Sequence, residues 1–155
     1  MKICEKEIMR LKTDNLTKIG NRFKLDDYLE EINKDKIYNV VLIDINDLHN
    51  INRNHGYHFG DNFLLDVVNS IKKVINNTSA QFFRIGGDEF LLFFYPYDKV
   101  DLSKIKNITY SEERWNPKLI AFRELMEILD KKLIKKKKSQ KSFFKKIMGF
   151  ICKCR

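Results

Sequence analysis

The segment Arg84–Phe90 contains the residue types that most directly indicate chemistry. It lies between two apolar stretches and therefore predicts a β-hairpin with Gly86 and Gly87 in its turn. We expect these glycines to adopt the positive φ that a tight turn requires and to let a bulky ligand approach the backbone. The same turn carries two adjacent carboxylates, Asp88 and Glu89, which are suited to holding a cation.

A third carboxylate, Asp44, follows the apolar run Val40–Ile43 in a predicted strand, Tyr38–Ile45. An isolated acid at a strand end is more often solvated or a cap. Two strands that deliver acids to one edge of a sheet instead favour a magnesium site for phosphate chemistry. We therefore expect Asp44 and Asp88 to lie close together.

Hydrophobic periodicity predicts the elements that position these acids. The expected helices are 1–11, about 15–32 with Asp14 as its N-cap, about 60–75, and a long helix with Pro117 in its first turn and Leu119 among its apolar residues. The expected strands are 38–45, the two arms of a hairpin at about 81–95, and a short strand at 108–110, with a loop at 46–59. A central hairpin among helices predicts an α+β fold, a mostly antiparallel central sheet with helices on its faces.

The length of 155 residues predicts one domain, and the net charge of +9 is unevenly distributed. Residues 131–155 contain eleven Lys and Arg and no acid, so residues 1–130 carry a net charge of −2. The pI therefore says little about the partners of the domain. Three cysteines near the two ends, Cys4, Cys152 and Cys154, form no zinc-ligand pattern, and with no secretory signal they predict a cytoplasmic protein.

The tail, residues 139–155, is predicted to be a basic amphipathic helix. At 100° per residue, its Phe, Ile and Met residues from 143 to 151 fall on one side and its lysines on the other. This pattern favours peripheral attachment to an anionic surface, the inner face of a membrane, and the segment is too short to span a bilayer. A disordered tail that binds nucleic acid non-specifically and a helix packed back onto the domain remain alternatives. No specific nucleic-acid interface is expected, because the phenylalanines are interpreted as core residues rather than as a surface for stacking bases.

Four segments together resemble the GGDEF family of diguanylate cyclases, whose fold is palm-like with a ferredoxin-like core. The matching segments are 14–22 (D-N-L-T-K-I-G-N-R), 43–61 (from I-D-I-N through I-N to G-Y-H-F-G-D), 84–90 (R-I-G-G-D-E-F) and, faintly, 129–141. On this resemblance the chain divides into a lead-in helix (1–13), a GGDEF-like nucleotidyl cyclase domain (14–138) and the basic tail (139–155).

The resemblance implies a role for each matching residue. Asp44, Asp88 and Glu89, with the Ile45 carbonyl, would bind Mg²⁺ (or Mn²⁺), and Glu89 would alternatively help deprotonate the attacking 3′-hydroxyl. The remaining implied substrate contacts are Asn52 and Asp61 to the guanine edge, Gly86 and Gly87 to the triphosphate, and Lys137 and Lys141 to phosphates. Capping for Asn52 and Asp61, and simple solvation for the two lysines, are the alternative interpretations.

The implied activity is condensation of two GTP into cyclic di-GMP with release of pyrophosphate. Each domain holds one GTP, so a homodimer is required. The alternatives are a degenerate domain that binds GTP or a cyclic dinucleotide without turnover, and a cyclase that makes a different cyclic nucleotide.

The sequence departs from the family pattern in the metal-binding loop and after the hairpin. Asn46 stands where the family usually has a second Asp, and Tyr57 where it has a His. The inhibitory R-x-x-D would fall on 77–80 and is absent, so we expect no product inhibition through it. Between Tyr95 and Ile108 there is little room for the helix that family members place there.

Overall fold

The computed structural model describes residue 7 and residues 9–153, with side chains described as far as residue 143. In chain order, the elements are α1 (Arg22–Glu31), β1 (Tyr38–Ile45), α2 (Leu48–His55), α3 (Tyr57–Val74), β2 (Gln81–Arg84), β3 (Glu89–Phe94), β4 (Ile108–Trp115) and α4 (Phe122–Lys153). Of the predicted helix 1–11, residues 7 and 9–11 are helical and the rest lies outside the described residues.

The four strands form one sheet in the order β2-β3-β1-β4, and every pair in it is antiparallel. Strand β1 is central because its apolar run, Val40–Ile43, is buried on both faces of the sheet. The predicted α+β class and the predicted hairpin are therefore confirmed, and β1 has the predicted bounds.

Helices cover both faces of the sheet and create two cores. Alternate side chains of β1, such as Val41 and Ile43, pack with α3 residues such as Leu64 and Val68 on one face. The intervening residues, such as Leu42, pack with α4 residues such as Leu129 on the other face. The period of two in the strands thus divides one apolar run between two helical layers.

The predicted helix at 15–32 starts too early, and Asp14 is not its N-cap. Helix α1 begins at Arg22, and Asn21 caps it by accepting a hydrogen bond from the Lys24 amide at 3.2 Å. Asp14 instead accepts hydrogen bonds from the amide and hydroxyl of Thr17, at 2.8 and 2.6 Å, within a turn. Such a side-chain turn competes with helix formation, so helical spacing of apolar residues was misleading here.

The predicted loop at 46–59 is wrong as well, because most of it forms α2 and the first turn of α3. Leu48 anchors α2 in the core, and Gly56 ends it with a φ of 85° while its amide donates to the Asn52 carbonyl at 2.9 Å. Asn and His residues have weak helix propensity, and burial of one apolar residue outweighs it.

The second half of the chain differs from the prediction in extent. The fourth strand reaches Trp115 rather than 110, and α4 begins at Phe122, so that Leu119 precedes the helix and is 78% exposed. Residues 95–107 contain turns and bends but no helix. Helix α4 continues without interruption through the predicted domain boundary at 138/139.

Lysines of α4 lie along the free edge of β4. The Lys136 ammonium donates to the Tyr110 carbonyl at 2.9 Å, and the Lys132 ammonium donates to the Glu112 carbonyl at 3.2 Å. Four residues of helix, about 6 Å, nearly match a two-residue step of a strand, about 7 Å, so the two side chains reach alternate carbonyls. These contacts fix α4 along the edge of the sheet.

Within residues 9–153, no helix is long and apolar enough to cross a bilayer.

Candidate active site

The hairpin turn between β2 and β3 is held by two arginines. Arg84 donates to the carbonyls of Gly86 and Gly87, at 3.2 and 2.7 Å, and Arg22 donates to the carbonyl of Ile85 at 2.8 Å. Neither glycine has a φ in the left-handed region, so the expectation of a positive-φ turn is wrong. Side-chain donors, rather than special glycine dihedrals, satisfy the carbonyls and fix the shape of the turn.

Arg84 is itself positioned by Asp14. Its guanidinium lies 3.2 and 3.3 Å from the two carboxylate oxygens of Asp14, and both side chains are largely buried. Burial alone would raise the pKa of Asp14, but the hydrogen bonds from Thr17 and the Arg84 guanidinium outweigh this and lower it. This support was not recognised in the sequence. The basic residue beside the Gly-Gly pair was the available signal.

The two glycines differ in the space around them. A Cβ at Gly86 would lie 2.9 Å from the Glu89 Oε2 and 3.3 Å from the Glu89 Cβ, so Gly86 makes room for that side chain. A Cβ at Gly87 would meet no atom within 4 Å. The protein itself therefore imposes no steric need for glycine at 87, and the open space there is available to a ligand.

Asp44, Asp88 and Glu89 lie at the same end of the paired strands β1 and β3. Asp44 is the cross-strand partner of Glu89, and the Ile45 amide donates to the Asp88 carbonyl at 2.9 Å. Asp44 is buried, whereas Asp88 and Glu89 are partly exposed. The antiparallel register thus brings residues from distant parts of the chain beside one another.

The carboxyl groups of Asp44 and Glu89 are disfavoured in their charged forms. Burial raises the pKa of Asp44, with a further rise from Asp88, although Lys137 opposes both. Burial also raises the pKa of Glu89, and the nearby charges of Asp88, Asp44 and Asp130 raise it further. Like charges in a partly dry site are stabilised by a cation.

The donor set suits a hard divalent ion. Carboxylate oxygens of Asp44, Asp88 and Glu89 and the Ile45 carbonyl are the oxygen ligands that Mg²⁺ prefers. Among the described residues, however, no group of three or more acidic, His or Cys side chains already has the geometry of a metal site. The side chains present therefore fit the ion in chemistry but are not arranged around one.

Lys137 forms an ion pair with one of these acids, Asp44. Its ammonium lies 2.6 Å from the Asp44 Oδ2, and α4 supplies it from across the sheet edge. Lys141, one turn later, is exposed, and no contact in the described part of the chain joins it to the acids. The structure therefore brings one of the two predicted lysines to the acids.

The predicted base-reading pair lies at the junction of α2 and α3. Asn52 packs over Gly60, where a Cβ would lie 1.7 Å from its amide oxygen. That buried oxygen has no hydrogen-bond partner, and Asp61, the residue after Gly60, is exposed. An unpartnered buried carbonyl costs about 1–3 kcal/mol, so a bound donor that reoriented the amide would be favoured.

Thr109 is a further polar residue beside the site that the sequence did not single out. It is buried in β4, and its hydroxyl lies 2.7 Å from the Asn46 Oδ1 and 3.1 Å from the Gln140 side-chain oxygen. It therefore links the end of β1 to α4. A single Thr in a strand carries no signal that would have revealed this contact.

Comparisons with known proteins show which family this chain matches. Residues 11–114, more than half of the chain, match the family model described as "Diguanylate cyclase, GGDEF domain". The bifunctional diguanylate cyclase/cyclic di-GMP phosphodiesterase MucR of Pseudomonas aeruginosa is 35% identical over 99 residues, which cover 59% of this chain and 14% of MucR. The probable diguanylate cyclase DgcI of Escherichia coli is 33% identical over 81 residues, 52% of this chain and 18% of DgcI. The match thus spans less than a fifth of either relative.

Solved structures show the same fold. The coiled coil and GGDEF domain of DgcB from Caulobacter crescentus, in complex with c-di-GMP, superimposes with a TM-score of 0.72 at 20% identity and covers 89% of this chain and 86% of that one. The S helix-GGDEF-EAL region of Vibrio cholerae LapD, bound to c-di-GMP, gives a TM-score of 0.72 at 21% identity and covers 90% and 37%. With its sequence match, its fold and its hairpin segment 84–90, the chain belongs to the GGDEF domain family.

Proposed function

We propose that the protein is a diguanylate cyclase, which condenses two GTP molecules into cyclic di-GMP and releases pyrophosphate. The observation that carries the proposal is the placement of Asp44 opposite Glu89, next to the arginine-held Gly86-Gly87 turn. Acids beside an open backbone are what a nucleotide triphosphate with its divalent ion requires.

In each half-reaction, the 3′-hydroxyl oxygen of one GTP attacks the α-phosphorus of the other. The O3′–Pα bond forms, the bond from Pα to the bridging oxygen breaks, and pyrophosphate leaves with the electron pair. Glu89 is our choice for the acceptor of the 3′-hydroxyl proton, because burial and the neighbouring acids raise its pKa. A bound Mg²⁺ (or Mn²⁺), held by Asp44, Asp88, Glu89 and the Ile45 carbonyl, would neutralise charge on the phosphates.

The other substrate contacts divide between base and phosphates. Asn52 and Asp61 would bind the guanine edge, since a carboxylate accepts from the N1–H and N2–H₂ groups and an amide both donates and accepts. The open face of Gly87, with Gly86, would lie against the triphosphate, and Lys137 and Lys141 would bind phosphate oxygens. A cyclase specific for another base is the alternative, and an acid at position 61 favours guanine.

One domain holds half of the reactants, so the active form would be a homodimer with the two sites facing each other. The rival hypothesis is a degenerate domain that binds GTP or a cyclic dinucleotide without turnover. The turns at 95–107, where the family places a helix, favour this rival. The acids and the hairpin favour the enzyme.

Product analysis separates these hypotheses. The purified protein is incubated with Mg²⁺ and each labelled nucleoside triphosphate, and the products are resolved. We expect cyclic di-GMP from GTP, with no product from Asp88→Ala and unchanged product from Asp26→Ala, a matched loss of an exposed acid on α1. Binding of GTP without product would support the degenerate domain, and a product from another nucleotide would support the different cyclase.

We also propose that the basic end of α4 attaches this cytoplasmic enzyme to an anionic membrane surface. The helix continues to Lys153, and Lys138, Lys141 and Phe143 are exposed. The predicted apolar and basic sides of the tail beyond residue 143 lie outside the described side chains. Co-sedimentation with vesicles of anionic and neutral lipid, with and without 139–155, tests the attachment. Pelleting that is equal with and without 139–155 would contradict it.

A further inference from the structure

The contact between Lys137 and Asp44 has a consequence for how the site acquires a divalent ion. Asp44 is the most buried of the clustered acids, and its Oδ2 oxygen lies 2.6 Å from the Lys137 ammonium. This oxygen is also one that a cation bound by Asp44 would approach. A divalent ion bound at this oxygen would lie close to the ammonium, so the two positive charges would repel each other.

The position of Lys137 is determined by its neighbours on α4. Leu133, one turn earlier, is buried in the core. Lys136 donates to the Tyr110 carbonyl at 2.9 Å, with its ammonium 4.7 Å from the centre of the Tyr110 ring. Gln140, one turn after Lys136, contacts Thr109. These contacts on either side of Lys137 hold α4 against β4, so the ion pair belongs to the folded arrangement rather than to a mobile surface side chain.

The charge around the pair requires such a counter-ion. Glu89 begins the neighbouring strand, Asp88 is the last residue of the turn before it, and Asp130 of α4 adds another negative charge that acts on Glu89. Arg84, the basic residue of the hairpin, is engaged with Asp14 and the turn carbonyls. Lys137 is therefore the cation that balances Asp44 in the absence of a ligand.

We propose that Lys137 is a resident counter-ion, which takes the place of the divalent ion at Asp44 until a nucleotide withdraws it. The inference rests on the proposed function and adds an order of binding to it. The anionic triphosphate attracts the Lys137 ammonium, Asp44 is released, and the divalent ion enters with the nucleotide. The protein alone therefore has low affinity for a divalent ion.

Binding of Mn²⁺ alone, followed by the loss of the free-ion signal in electron paramagnetic resonance, tests this order without any turnover. We expect Lys137→Gln to bind Mn²⁺ at least about tenfold more tightly than the wild type. A neighbouring cation lowers the proton affinity of a carboxylate by about one to three powers of ten, and Mn²⁺ binds the same oxygens as the proton. Lys138→Gln is the matched control. It removes the same charge from the adjacent, exposed position and should change affinity by no more than about twofold.

A second variant and a double variant complete the test. Lys137→Met retains an apolar stem and should reproduce the gain, and circular dichroism establishes that each variant is folded. Adding Asp44→Asn to Lys137→Gln should abolish the gain. Equal affinity of Lys137→Gln, Lys138→Gln and wild type, or a gain that survives Asp44→Asn, would overturn the inference. Failure of the proposed function would instead appear as absence of product from GTP and would leave the Mn²⁺ measurement interpretable.

Discussion

Substituting Gly60 by Ala should weaken GTP binding without destabilising the fold. A Cβ at position 60 would lie 1.7 Å from the Asn52 Oδ1 and 2.8 Å from its Cγ, and the three nearest atoms all belong to Asn52. Carbon contacts require about 3.5 Å, so the amide must move by about 1.5 Å or more. The helix itself accepts the change, since Ala is favoured over Gly in a helix interior by about 1 kcal/mol.

The expected loss follows from the hydrogen bonds that a displaced Asn52 can no longer make. One or two such bonds contribute about 1–2 kcal/mol, which corresponds to about a 5- to 30-fold increase in the Kd for GTP. Titration calorimetry measures the Kd, and thermal unfolding should give a Tm equal to or above that of the wild type. This combination separates a local displacement from a general loss of structure.

A double-mutant cycle provides the control. Asn52→Ala should weaken GTP binding by a similar factor, and Gly60→Ala should add no further loss in that background, because the clashing side chain is absent. The reasoning is refuted if Gly60→Ala retains wild-type affinity, or if it weakens binding by the same factor with and without Asn52.

Three other perturbations test the hairpin and its charges. Arg84→Ala should lower the free energy of unfolding by about 2–4 kcal/mol, because the largely buried ion pair with Asp14 and two hydrogen bonds to turn carbonyls are lost. Urea titration measures this change, and a loss below about 0.5 kcal/mol would contradict it. Glu89→Gln should raise the Tm above pH 6 but not near pH 3. Burial and the nearby acids raise the pKa of Glu89, so native stability falls as pH rises above the ordinary Glu value of 4.5. A gain in Tm that is constant with pH would show that the ionised carboxylate is not its cause. Asp88→Ala should retain the wild-type Tm, because the Ile45 amide donates to the backbone carbonyl of Asp88 and not to its side chain. Cyclic di-GMP formation should be lost, and unchanged product formation would exclude the metal-binding role.

The sheet edge that carries the acids was predictable because its signals are local. The apolar run before Asp44 marks the end of one strand, and the Gly-Gly pair before Asp88 marks the start of another. Pairing of these two strands then brings the acids to the same end of the sheet. The identity of the cross-strand partner was not predictable, because register depends on packing of both faces. The cross-strand partner of Asp44 is Glu89, and Asp88, its expected partner in metal binding, is the residue before Glu89.

The errors arise where a distant residue determines local structure. The interval that was predicted to be a loop is helical around a buried Leu48. Asp14 was interpreted as a helix cap, whereas it binds Arg84, which is 70 positions away. The same arginine explains why Gly86 and Gly87 need no left-handed φ. Periodicity and turn propensities carry no information about such contacts.

The lysine side chains along β4 also bear on solubility. An edge strand with unpaired carbonyls is a template on which another chain can add a strand and begin aggregation. Lys132 and Lys136 donate to the carbonyls of Glu112 and Tyr110, so an incoming strand would have to displace both ammonium groups before it could pair with these carbonyls. A sheet that ends at its fourth strand is in this way protected from edge-to-edge polymerisation by the helix packed beside it.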